Sequence, residues 1–195
     1  SPYRHEGSMD AAEKHFRDGF SAVFKNINGL AKNDVPISVY YAFKQQEDEF
    51  SGDDSQRAST GWETMLEGLV EAGFQITGTW PIRTTKKARS VARGTNALAS
   101  AVVLVARQRS TGAAMATRKE FASVLRKELP AAFAALTQAG IAPVDLAQAA
   151  IGPVMAIYSR YSKVIEADGS PMSVRTALQI INQELDAHLA AQEGE

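Results

Sequence analysis

The chain has 195 residues, 45% hydrophobic and 22% charged, with a net charge of −1, an ordinary globular composition for one domain or two small ones. With no cysteine there is no disulfide framework and no thiolate metal site, and three histidines (His5, His15, His188) argue against a zinc or iron centre. No apolar run is long enough for a transmembrane helix and no signal-peptide pattern occurs, so a cytoplasmic protein is expected.

The first nine residues, SPYRHEGSM, differ in character from the rest of the chain, and Gly7-Ser8-Met9 resembles a cloning scar. Residues 11 to 30 place Phe16, Phe20, Val23, Phe24, Ile27 and Leu30 at helical spacing. "PISVYYAF" (36–43) is short, β-rich and apolar on both faces, which predicts a strand buried on both sides, as in a parallel sheet. "QQEDEFSGDDSQRAS" (45–59) reads as a polar loop. The next helix starts at Ser59 or Thr60, uses Trp62, Met65, Leu66, Leu69 and Val70 as its apolar face, and stops at Gly73. "FQITGTW" (74–80) alternates like a strand that Pro81 ends. A second strand is centred on 101–106, and the link 81–95 is long for a hairpin turn.

After Ser110 the composition changes. "STGAAMAT" reads as a small-residue linker, and a helical subdomain is expected over 111–195. Residues 118–139 form one helix or a pair, depending on Pro130. Gly152-Pro153 restarts a helix that runs to about Ile165. A last helix, capped by Ser170 or Ser173, carries Val174, Leu178, Ile181, Leu185 and Leu189 on one face.

Charge is unevenly spread. Between Ala72 and Lys119 there is no Asp or Glu, while Arg83, Lys86, Lys87, Arg89, Arg93, Arg107, Arg109, Arg118 and Lys119 all fall there. The basic segment 83–93 is either a solvated surface loop or a phosphate-binding one, since several cations on one segment release counterions on meeting nucleic acid. Trp80 beside it is either a platform for a base or a core residue. The acidic cluster 47–54 matches no calcium-loop spacing and reads as a solvated loop. "DLAQAAIGPVMAIYSRY" (145–161) has an outline of helix-turn-helix, but Val154, Met155, Ala156 and Ile157 are apolar where a recognition helix needs polar side chains. No dinucleotide-binding, P-loop, nucleophile-elbow or zinc-protease motif occurs.

Four stretches together resemble one family. "ISVYYAFKQQ" (37–46), "STGWETMLEGLVEAGFQITGTWPIRT" (59–84), "NALASAVVLVARQR" (96–109) and "DLAQAAIGPVMAIYSRYSKVIEADGSPMSVRTALQIIN" (145–182) look, in order and spacing, like the C-terminal portion of the large adenine-specific DNA methylases, some of them linked to phage defence and restriction-modification. The resemblance implies that residues 10–110 are the C-terminal half of a Rossmann-like methyltransferase sheet: strand five, its crossover helix, then antiparallel strands six and seven. It implies an S-adenosylmethionine-dependent DNA adenine N6-methyltransferase as the full-length protein. The Gly-rich cofactor loop and the D/N-P-P-Y motif of that family are both missing here, so this chain alone is expected to hold no catalytic residue, to bind no cofactor and to be inactive.

On that reading DNA is the partner. Arg83, Lys86, Lys87, Arg89 and Arg93 contact its phosphates, and Trp80 and Pro81 form the wall of the substrate cleft. A homodimer through an open strand edge at 37–43 is expected, because the neighbouring strand of the resembled sheet lies outside this sequence. The alternative is a non-catalytic DNA-binding or structural assembly module.

Overall fold

The computed structural model describes residues 9–41, 60–82, 101–140 and 143–193. In chain order these form α1 (Met9–Leu30), β1 (Ile37–Tyr41), α2 (Thr60–Glu71), β2 (Phe74–Ile82), β3 (Ala101–Gln108), β4 (Met115–Thr117), α3 (Arg118–Gln138), α4 (Pro143–Ser159), β5 (Lys163–Ile165) and α5 (Val174–Glu193). The architecture is mixed α/β. The expected scar at its first eight residues, the polar loop 45–59 with its acidic cluster, and the basic segment 83–93 lie outside the described residues.

The main sheet has the order β1-β3-β2, with β3 antiparallel to both neighbours. β1 and β2 therefore run the same way, and α2 crosses between them. α2 ends where the sequence places its stop. Gly73 has φ 89, a left-handed conformation that a side chain would oppose, and it turns the chain into β2. One sheet face is covered: Trp62 packs its ring 5.5 Å from that of Tyr41, and Met65, Leu66 and Leu69 are fully buried. α1 lies on α2 through Phe20 and Phe24, which meet at Gly68.

β1 departs from the expectation of a strand buried on both faces. Its burial alternates, with Ser38 and Tyr40 exposed, and its only described strand neighbour is antiparallel β3. The apolar run misleads because tyrosine serves either environment: its ring packs while its hydroxyl tolerates water. β1 is an edge strand, and among the described residues nothing pairs with its outer side.

The second half is not all helical. The stretch read as a linker supplies β4, which pairs in parallel with β5. Strands of three residues carry too little pattern to be read from sequence. α3 is one helix with Pro130 inside it, opened by a capping box between Thr117 and Glu120. α4 runs unbroken through Gly152-Pro153 and ends at Ser159 instead of near Ile165. Ser173 caps α5, its hydroxyl accepting the backbone N–H of Thr176 at 3.1 Å. Leu178, Ile181 and Leu185 are buried with Phe121, Leu125 and Leu129 of α3. One apolar cluster runs from Phe24 through the sheet to Leu185, and Arg175 ties α5 to α2 by an ion pair with Glu63 at 2.6 Å.

Candidate nucleic-acid interface

Unbroken alternation along β2 would put Phe74, Ile76, Gly78, Trp80 and Ile82 on one face, with Trp80 in the core. The register forbids this. Ile76 stands opposite Ala106, but Gly78 stands opposite Val105, so Thr77 is an extra residue in a β-bulge. A one-residue insertion exchanges the faces of everything beyond it. Phe74 and Ile76 stay buried against α2 and α4, while Thr79 turns inward and Trp80 turns out, 54% exposed. The core reading of Trp80 is thereby overturned.

An inward threonine needs a partner, and α4 provides it. Pro153 has no N–H, so the Ala149 carbonyl four residues earlier is left without its helical donor. Thr79 Oγ1 donates to that carbonyl at 3.1 Å in a buried position. Gly152 allows the approach: a Cβ there would stand 2.6 Å from the Thr79 nitrogen and would collide with its hydroxyl. At the helix end, Ser159 Oγ accepts the Ile76 N–H at 2.9 Å and donates to the Met155 carbonyl at 2.6 Å. α4 thus lies along β2 and satisfies groups that an edge strand would otherwise expose. The Gly-Pro pair is a docking device and not a helix start. Pro81, expected to end the strand, stays within it opposite Val102, as edge strands permit.

This arrangement also removes the helix-turn-helix reading of 145–161. α4 is continuous, and Tyr158 and Ser159, which a recognition helix would offer to bases, are buried. Tyr158 donates its hydroxyl to the Met172 carbonyl at 2.7 Å, and burial, with smaller help from Glu67, pushes its pKa up to about 12. Arg160 is held by both carboxylate oxygens of Glu128 at 3.0 and 2.6 Å.

Three cations of the acid-free stretch have structural work, Arg118 by pairing with Glu166 at 3.0 Å and the other two by holding backbone carbonyls. Arg107 donates to the Asp34 carbonyl at 2.8 Å and ties the α1–β1 turn to β3. Arg109 donates to the carbonyls of Val70 at 3.1 Å and Ser159 at 3.3 Å, near the C-terminal ends of α2 and α4. Helix C-termini carry partial negative charge, so one guanidinium serves both. Burial lowers the Arg109 pKa from its ordinary value. The cations expected to meet phosphate, Arg83, Lys86, Lys87, Arg89 and Arg93, lie outside the described residues.

The open face of the sheet is the feature that sequence reasoning missed. Tyr40, Val103 and Trp80 share one row across β1, β3 and β2. Tyr40 is 74% exposed, and Ile82, two residues beyond Trp80, is also exposed. The row lies near the end of the sheet where β1 and β2 finish and β3 begins. Among the described residues no group of three or more His, Asp or Glu could hold a metal ion, and no helix is long and apolar enough to cross a membrane. Comparison of this chain with protein-family models, with curated proteins and with solved structures finds no match.

Proposed function

We propose that this chain is the C-terminal part of an S-adenosylmethionine-dependent DNA adenine N6-methyltransferase, completing its Rossmann-like sheet and contributing DNA contacts. The observation that carries the reading is the strand order. A strand, a crossover helix and an antiparallel pair arranged β1-β3-β2 is the order in which strands five, seven and six would end such a sheet. Ligands of open α/β sheets bind beyond the carboxyl ends of the strands, and β1 and β2 both end beside the aromatic row. The basic segment 83–93 follows β2 directly in sequence, and its cations are assigned to phosphate. The outer edge of β1, which pairs with no described residue, is assigned to strand pairing with a second copy of this chain.

Two measurements test this. Replacing Lys86, Lys87 and Arg89 with glutamine is expected to weaken DNA binding for all sequences alike. The slope of log K against log salt should fall by roughly one for each cation–phosphate pair removed; an unchanged slope returns the segment to a solvated surface. Titration calorimetry with S-adenosylmethionine is expected to give no heat, because the Gly-rich loop and the D/N-P-P-Y motif are both missing from the sequence. Micromolar cofactor binding by this chain would contradict the assignment.

A further inference from the structure

We propose that the cleft between α2 and the β5–α5 connection binds a small amino-acid-like zwitterion, with Glu67 and Glu71 taking its cationic end and Arg109 and Lys163 its carboxylate. The site is separate from the DNA-binding role above and lies at the other end of the sheet. Phe74 pairs with Gln108 next to the cleft, whereas Trp80 pairs with Val103 in the aromatic row.

The cleft has a volume of about 460 Å³, within the range of small-molecule sites. Val164, Met172 and Val174 are buried in its lining, and Tyr158, whose hydroxyl is bound to the Met172 carbonyl, joins them. An apolar body therefore has a surface to lie on.

The charged lining is divided by element. α2 supplies only carboxylates, Glu67 and Glu71, one turn apart on the same face. The cations come from elsewhere, Arg109 from the end of β3 and Lys163 from β5. Ile165 pairs antiparallel with Pro171, and the Met172 N–H donates to the Val164 carbonyl at 2.8 Å. That register sets Lys163 opposite Ser173, the cap of α5, so the positive end of the helix dipole adds to the lysine.

These charges do not satisfy one another. Among the described residues the Glu67 carboxylate forms no hydrogen bond or ion pair, whereas Glu63, one turn earlier, is paired with Arg175. Burial and then Glu71 raise the Glu67 pKa above its ordinary value, and Arg17 and Arg175 offset only part of this from beyond ion-pair distance. The Arg109 guanidinium meets backbone carbonyls only, which leaves donors of its fork for an anion. Lys163 pairs with no described carboxylate. A half-buried charge without a counterion costs stability. A molecule carrying both signs relieves both sides of the cleft at once. A simple cation would leave Arg109 and Lys163 unanswered, and a simple anion would leave Glu67 and Glu71 so.

The probe is ε-aminocaproate, with an ammonium and a carboxylate at the ends of a short apolar chain. Titration calorimetry with the whole chain is expected to show saturable binding. Hexylamine and caproate, which carry one charge each, should bind about tenfold more weakly or worse. Glu67→Gln should weaken ε-aminocaproate binding about tenfold, and exposed Lys163→Met several-fold. The ligand-free Glu67→Gln protein should melt at or above the wild-type temperature, because the change removes a half-buried unpaired charge. Absence of saturable binding, equal affinity for hexylamine and the zwitterion, or unchanged affinity in both variants overturns the site. A lowered melting temperature for ligand-free Glu67→Gln would show that this carboxylate serves the fold, and it likewise overturns the proposal.

Discussion

Ile181→Asp is expected to leave the chain largely unfolded at room temperature. Ile181 is fully buried in α5, in the apolar cluster that includes Phe121, Leu125 and Leu129 of α3. An aspartate there loses its hydration without gaining a cation, and large losses of stability come from such buried, unpaired charges. The cost is several kcal/mol, against a total stability of about 5–15 kcal/mol for an ordinary domain. The cluster continues through α4 into the sheet, so separating α5 from α3 should also loosen the packing of α4 against β2. Thermal melts followed by circular dichroism check this, with exposed Gln183→Asp on the same helix as the comparison. A melt of Ile181→Asp that barely moves would show that the α5 face has been assigned wrongly.

Gly152→Val is expected to be the second most damaging single change. The side chain would have to enter space held by the backbone nitrogen and hydroxyl of Thr79, and a strand backbone yields less readily than a flexible side chain. Overpacking of this kind costs about 1–3 kcal/mol and occasionally more. Displacing α4 would also break the Thr79–Ala149 and Ile76–Ser159 hydrogen bonds, leaving buried groups unsatisfied. The predicted signature is a lowered melting temperature together with altered Trp80 emission, since Thr79 and Trp80 are adjacent on β2. Thr79→Val separates the two effects: it removes the hydrogen bond without adding a clash and should cost less than Gly152→Val. Equal melts for wild type and Gly152→Val would mean that α4 does not dock on β2 as described.

By itself the sequence determined the elements whose signals are local. The helical period of α1, the face of α2 and its glycine stop, and the Ser173-capped face of α5 depend on residues within a turn or two of one another, and these helices are legible. Only Phe20, Phe24 and Ile27 of the expected α1 face pack on the core, however, while Phe16, Val23 and Leu30 are exposed. The two sheet strands 74–80 and 101–106 are legible for the same reason, and Pro36 marks where β1 can begin. The acid-free stretch is legible as composition, but not as a site, because composition does not say which cations are engaged. Arg107 and Arg109 hold backbone carbonyls from the α1–β1 turn, α2 and α4, partners up to 73 residues away.

Only the tertiary structure decided which way Trp80 faces. The alternation of 74–82 fits one face without a break, and the bulge at Thr77 is settled by pairing with β3, beyond the reach of any local window. The same holds for Gly152-Pro153. Within the sequence the pair reads as a helix boundary, but the missing proline N–H and the missing glycine Cβ acquire meaning only when Thr79, seventy residues from Ala149 in sequence, arrives to use the freed carbonyl. The short parallel pair β4–β5 and the half-open β1 belong with these. In each case the deciding contact joins segments distant along the chain, and the free energy that selects it comes from pairing and packing that no single segment contains.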